Sequence, residues 1–438
     1  MARRRLNGVI AAGMVAVGLV VSAQDVETGW ISSNRIATSV TVPAGANPPA
    51  LQLLRASRSS LGPRLAMTPP MGWNGYNHFR LSVSAATIEA EAHAMVSSGM
   101  KAAGYTYVNL DGGWNLHRRN YDGSIQPDPT RFPHGIKPVA DYVHSLGLKF
   151  GMYASAGYEN CAKTSAGSYG HYRQDAATFA AWGVDYLKLD WCHIPYRDYP
   201  VLTHKQVSQL LATQMRDALV ATGRPIVYDV NGWSIEEPWT WAPVMSNMWR
   251  TAPDIEDRYP SMLSNFTRNV SHDRAAGPGG WNDPDMLEVG NGGMNPTEYR
   301  SHFSLWSEMA APLIAGNDLT AMSATTRSIL TNLAVIAVDQ DPLGRQGHAV
   351  ASADGHWVLT KLLANGDRAV LLFNQTDKPA SISTTVDEVG LTGARQYTLL
   401  DLWSATTTET TGAIRADVAA HGVVFYRITA SRAQNSGT

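Results

Sequence analysis

The sequence predicts an α/β protein: a (β/α)8 barrel of the TIM type followed by a C-terminal antiparallel β-sandwich domain. Three observations carry this expectation. Short apolar strand patterns alternate with helical patterns over residues 65–346, which implies right-handed βαβ units and a parallel sheet. Most of these strand patterns end in a carboxylate or an amide, as expected of the C-terminal rim on which barrels build their sites. Beyond Gly347 the helical patterns give way to short alternating segments, HWVLTKLLA, RAVLLFNQT, QYTLLDLW and GVVFYRIT, separated by Gly, Asn and Asp turns, the mark of an all-β module over 347–438. No GxGxxG or P-loop follows the first strand, which argues against an open, doubly wound sheet.

The N-terminus reads as a secretion signal over 1–23. Arg3, Arg4 and Arg5 form a basic start, Val9 to Val21 an apolar run, and Val21-Ser22-Ala23 a small-residue cleavage pattern. The run is shorter than the ~20 residues that span a bilayer, so a secreted protein without a membrane span is expected. Residues 24–64, rich in Ala, Ser, Pro and Asn, read as a flexible lead-in. A net charge of −2 gives no electrostatic footprint for nucleic acid. The two cysteines, Cys161 and Cys192, suit one disulfide in an oxidising compartment. CxxC, a clustered Cys/His set and HExxH are missing, so no metal is expected.

In chain order, TPPMGWNGYNHF (Thr68 to Phe79) supplies a first strand and a loop whose Trp73, Tyr76 and His78 are either core rings or the wall of a sugar pocket. Ile88, Ala92, Met95 and Val96 recur at helical spacing, and Gly104 precedes the strand Tyr105 to Trp114 with Asp111 near its end. Helices over Lys137 to Leu146, Gln174 to Trp182 and Gln206 to Thr222 lead to strands at Lys149 to Gly157, Gly183 to Cys192 and Pro225 to Trp233. Strand patterns continue at Met245 to Asp254, Gly279 to Gly290 and Pro312 to Leu319, with a helix over Tyr299 to Met309, and Val335 to Gly344 is read as the last strand. The polar endings are Asp111, Asp190, Asn231, Arg250 with Asp254, Asp283 with Asp285, and Asn317 with Asp318. About half of them are expected to cap helices. Asn265 and Asn374, each two residues before a Thr, are glycosylation acceptors in a glycosylating host.

An acidic rim, aromatic walls and a secretion signal point to glycoside hydrolysis, which needs two carboxyl groups flanking the scissile bond. Asp190 is the nucleophile candidate. It lies two residues after Lys188 in GVDYLKLDWC, on the same face of a strand, and the neighbouring cation is expected to lower its pKa. The second carboxyl is Asp254, Asp257, Asp283 or Asp285, and pattern alone does not choose among them.

TPPMGWNGYNHF, YVNLDGGW, YLKLDWC, WRTAPDIED, GPGGWNDPDMLEVGNGGM and DQDPLGRQG together resemble the melibiase family, glycoside hydrolase family 27, from about Leu65 to the end of the chain. The resemblance implies a retaining α-glycosidase without cofactor, most often an α-galactosidase, and with the secretion signal the reading is a secreted, exo-acting enzyme on an oligosaccharide or polysaccharide. It implies Asp190 as nucleophile and Asp254 as acid/base. Asp111, Lys188, Arg250 and Asp285 would hold sugar hydroxyls, Tyr153 would line the pocket, and Cys161 would pair with Cys192. Three positions depart from the pattern: Tyr76 where the family's α-galactosidases usually have Trp, Gly112 where they have a second Asp, and Asn231 where they often have another pocket residue. The missing carboxylate at Gly112 bears on the sugar. The family also holds isomaltodextranases and β-L-arabinopyranosidases, and a non-catalytic sugar-binding barrel is the reading from another class.

Overall fold

The computed structural model describes residues 65–431 apart from Ser234. The expected signal peptide and lead-in lie outside the described residues. Eight parallel strands form one sheet: β1 (Met71–Asn74), β2 (Tyr107–Leu110), β3 (Lys149–Ser155), β4 (Tyr186–Asp190), β5 (Val227–Asn231), β6 (Met248–Arg250), β7 (Trp281–Asp283) and β8 (Leu313–Ala315). They lie in sequence order from β7 down to β1, and β1 pairs with β8. Closure comes just past β7, where Leu287 bridges to Ala315 in parallel. The Leu287 amide donates to the Ile314 carbonyl at 2.7 Å, and the Gly316 amide donates to Leu287 at 2.8 Å. Trp73, fully buried, donates its indole N–H to the Asn317 carbonyl at 2.7 Å and so pins β1 to the end of β8. It is a core ring and does not wall a pocket.

The crossovers are α1 (Ala85–Ser97), α2 (Lys137–Ser145), α3 (Tyr172–Trp182), α4 (His204–Ala221), α5 (Tyr259–Asn269) and α6 (Pro296–Glu308), with α7 (Ala324–Leu330) and α8 (Leu333–Asp339) after the last strand. Capping explains where several begin. Thr203 with Gln206, and Asn295 with Glu298, form reciprocal capping boxes at α4 and α6, each satisfying two amides that a helix start leaves free. Between β5 and β6 the described chain holds only 3-10 turns, Pro238–Thr240 and Ala242–Val244, because Pro238 and Pro243 interrupt helical hydrogen bonding there.

One strand expectation is overturned. Val335 to Gly344 is not a strand; most of its apolar part is α8, started by Asn332, whose side chain accepts from the amides of Ala334 and Val335. A short apolar run reads alike as a buried strand or a buried helix, and here the cap decides.

The C-terminal region begins at β9 (His348–Ala353) and continues through β10 (His356–Leu362), β11 (Arg368–Asn374), β12 (Ala380–Thr385), β13 (Tyr397–Asp401), β14 (Thr407–Thr410), β15 (Ala413–Val418) and β16 (Val423–Ala430). Six of these form an antiparallel sheet, and β12 pairs with β15 in a second sheet. Val358, Val370, Leu372, Ile382, Ile414 and Val418 pack between the two. The other face of the larger sheet joins the barrel core: Leu359, Leu371, Phe373 and Phe425 share one buried cluster with α5 and α6, and Phe266 of α5 packs edge-on against Trp357 and Phe373. Both glycosylation expectations meet a steric objection. Asn265 and Asn374 are buried, and their side-chain amides are spent on backbone carbonyls.

Candidate active site

The C-terminal ends of the strands surround a pocket of about 480 Å3 including its open mouth, lined by Tyr76, Asp111, Tyr153, Lys188, Asp190, Asn231, Asp254 and Asp285. Arg250, 1% exposed, lies beneath it and reaches Asp254 and Asp285 from below. The nine catalytic and binding candidates read from the sequence and its resemblance therefore converge on one site. Cys161 also lines the pocket, bonded to Cys192 with a Cα–Cα distance of 5.0 Å. His78 and Trp73 are not in the lining, and Asn317 with Asp318 serves closure and the cap of a 3-10 turn.

Asp190 ends β4, and both its oxygens are held. The Trp191 amide donates to Oδ1 at 2.8 Å and the Tyr153 hydroxyl donates to Oδ2 at 2.8 Å. The Cys161 sulfur of the disulfide lies 3.1 Å from the same Oδ2. Lys188 does not pair with Asp190 as its nearest partner. Its Nζ donates to Asp111 Oδ2 at 2.8 Å, an oxygen that also accepts from Asn74 at 2.7 Å. Burial leaves the Asp190 carboxyl raised to about 6, outweighing Lys188, which lowers its pKa as expected, and Tyr153 and the Trp191 amide, which act in the same sense.

Asp254 behaves in the opposite sense. It stands on the loop after β6 with its side chain two-thirds exposed. Partial burial works to raise its pKa, but the Arg250 guanidinium, helped by Lys188, outweighs that and holds the carboxyl below the ordinary value. Asp285, raised by burial against the pull of Arg250, accepts from the Ile255 and Met286 amides at 2.8 Å each. Its φ of +82° turns the chain back into the site.

The other two acid candidates do not line this pocket. Asp257 is held by the Tyr299 hydroxyl and the Gly293 amide. Asp283 lies below, with Asp229, Asn109 and Tyr186, around a smaller polar space inside the barrel. There burial and the facing Asp283 push Asp229 up to about 8, so the barrel axis carries polar groups where aliphatic layers are usual.

Gly112 faces open room. A Cβ built there meets Leu81 Cδ2 at 3.6 Å and Tyr153 Cε1 at 3.9 Å, ordinary contacts that leave the position free to carry a side chain. Leu81, Asn160 and Ala162 complete that wall and were missed in the sequence because they sit in loops with no periodicity. Asn265 was read there only as a glycan acceptor. From α5 it donates to the carbonyls of Pro253 and Pro284, both at 2.9 Å, the residues just before Asp254 and Asp285.

A parallel barrel with paired carboxylates, an arginine and a lysine at its C-terminal rim defines a class, the carboxylate-based barrel hydrolases. Within that class, residues 68–341 match the family model described as "Alpha galactosidase A", a melibiase model, and residues 353–428 match "Alpha galactosidase C-terminal beta sandwich domain". A probable alpha-galactosidase of Dictyostelium discoideum is 45% identical over 379 residues, covering 85% of this chain and 96% of that protein. An alpha-galactosidase of Cyamopsis tetragonoloba is 44% identical over 370 residues, covering 83% and 87%. The crystal structure of alpha-galactosidase I from Mortierella vinacea superposes with a TM-score of 0.80 at 36% identity, covering 84% of this chain and 98% of that one. The chain belongs to the melibiase family and is a glycoside hydrolase.

Proposed function

We propose that the protein is a secreted, exo-acting α-galactosidase that works with retention through a covalent glycosyl-aspartate on Asp190. The observation that carries the mechanism is the contrast between the two carboxylates: Asp190 is buried with both oxygens anchored, whereas Asp254 stands at the open mouth where a leaving group departs. Asp190 attacks the anomeric carbon while Asp254 protonates the glycosidic oxygen, and the bond to that oxygen breaks. Asp254, now a carboxylate, takes a proton from water, which attacks the same carbon from the opposite side and frees Asp190. Asp111, Lys188, Arg250 and Asp285 fix the sugar by charged hydrogen bonds, each worth about 1.5–3 kcal/mol, and the Asn231 amide adds a neutral one. Tyr76 and Tyr153, with Lys188 Nζ 5.9 Å from both ring centroids, close the side walls. The basic start, apolar run and small-residue site before Gln24 support secretion.

One observation favours a second sugar. The wall at Gly112 and Leu81 offers no carboxylate to a 6-hydroxyl, which suits a pentopyranoside such as a β-L-arabinopyranoside on the same mechanism. Glucosyl chains of the isomaltodextran type are the further alternative. The test is hydrolysis of matched aryl α-D-galactoside, α-D-glucoside and β-L-arabinopyranoside, with proton NMR of the first-formed anomer. Fastest turnover of the galactoside with retained configuration supports the leading reading. An inverted first product overturns the mechanism, faster turnover of another sugar overturns the specificity, and no turnover that depends on Asp190 leaves a binding barrel.

A further inference from the structure

The helix α5 connects the C-terminal β domain to the loop that carries Asp254. At its start, the Tyr259 ring stacks on the His421 ring with centroids 3.8 Å apart and planes 13° from parallel, and the Tyr259 hydroxyl donates to the Gln375 carbonyl at 3.1 Å. His421 lies in the turn between β15 and β16 with φ 55°. Its Nδ1 is 2.8 Å from Glu298 of α6, its Nε2 is 2.8 Å from Asp377, and its carbonyl accepts from Ser301 at 2.6 Å. One imidazole thus joins α5, α6 and two turns of the β domain.

Further along the same helix, Asn265 fixes the carbonyls before Asp254 and Asp285. Between Asp254 and Tyr259 there are only four residues. Ile255 is buried and tied through its amide to Asp285, and Asp257 is tied to Tyr299 of α6. A shift of the α5 start therefore has little slack to absorb before it reaches the Asp254 carboxyl.

We propose that His421 is a positioning residue for the reaction: the β domain, by clamping the start of α5 and α6 through this ring, sets where Asp254 stands relative to the leaving-group oxygen. The inference rests on the reading of Asp254 as acid/base. Because an acid matters in proportion to the basicity of the leaving group, loss of position has a signature that loss of general stability lacks. His421 contacts neither the pocket lining nor Asp190, so glycosylation by a substrate that needs no proton is left intact.

The test compares kcat/KM for 2,4-dinitrophenyl and methyl α-D-galactosides in the full-length protein. His421→Asn is used because asparagine tolerates the left-handed backbone. Trp403→Phe, which loses the indole bond to Ser304 at another point of the same domain boundary, is the control, and Asp254→Ala is the reference. The expected result is a loss of about tenfold on the methyl glycoside for His421→Asn, within the range a small misplacement causes, with the dinitrophenyl value nearly unchanged and the Trp403→Phe ratio that of the parent. Equal losses on both substrates, or none, overturn the positioning role. If Asp254→Ala leaves the ratio unchanged, the acid/base reading fails first and the inference with it.

Discussion

Arg250 Nη2 lies 2.9 Å from Asp254 Oδ1 and links the least exposed charge of the site to its most exposed carboxylate. The pair has a consequence for pH. Asp254 is held below the ordinary carboxyl value while Asp190 is raised to about 6, so between these limits the pair holds one proton, mainly on Asp190, and turnover draws on the minor tautomer. The productive form has that proton on Asp254 and the charge on Asp190. Below the lower limit both carboxyls are protonated and the nucleophile is lost. Above about 6 the shared proton leaves and the acid is lost. The kcat/KM profile of the free enzyme is therefore expected to peak in the acid range and to fall about tenfold per pH unit on the alkaline side. Lys188→Met removes a charge that lowers the Asp190 pKa and is expected to move the alkaline limb upward. A plateau reaching past pH 8, or a limb unmoved by the substitution, contradicts this.

Gly112→Asp restores a carboxylate to a position with room for it. The substitution is expected to shift the ratio of kcat/KM for α-D-galactoside over β-L-arabinopyranoside toward the galactoside by about tenfold or more, the worth of one charged hydrogen bond. Steady-state kinetics on the two aryl glycosides checks this. A ratio that does not move means that the 6-hydroxyl is not placed against this wall.

Asn265→Ala leaves the carbonyls of Pro253 and Pro284 without a donor. The expected cost is about 1–3 kcal/mol of stability together with a fall in kcat/KM that exceeds any change in KM. Asn265→Asp is expected to be worse, because it sets a carboxylate oxygen against two carbonyls. Thermal unfolding and kinetics on the two variants decide it, and full activity in the aspartate variant would show that Asn265 does not hold the two loops.

The barrel was legible because parallel strands buried on both faces read as apolar runs, as in YLKLD, and because several motif residues, Asp190, Asn231 and Arg250 among them, end a strand. The pocket followed from the same register: Lys188 and Asp190 share a face of β4, and both line the site. What failed had identifiable causes. Val335 to Gly344 is apolar in a way that suits strand or helix, and only the Asn332 cap separates the two. Lys188 was adjacent to Asp190 along the strand, but the fold gives its ammonium to Asp111, a partner 77 residues away that spacing does not reveal. Strands β9, β12 and β14 escaped notice because Ala, Ser and Thr dominate them, and β15 because Arg415, Ala416 and Asp417 separate its buried Ile414 and Val418. Asn265 carried a glycosylation motif whose meaning changed once α5 turned it inward.

The central claim, that Asp190 forms the covalent intermediate, is tested most directly by trapping it. The enzyme is incubated with a slowly deglycosylated fluorinated α-D-galactosyl substrate carrying an activated leaving group, digested, and its peptides are weighed by mass spectrometry. The account predicts one added glycosyl mass on the peptide that contains Asp190, and none in the Asp190→Asn variant. The same mass on a peptide carrying Asp254 or Asp285 would contradict it, as would turnover of the substrate with inverted configuration and no adduct on any peptide.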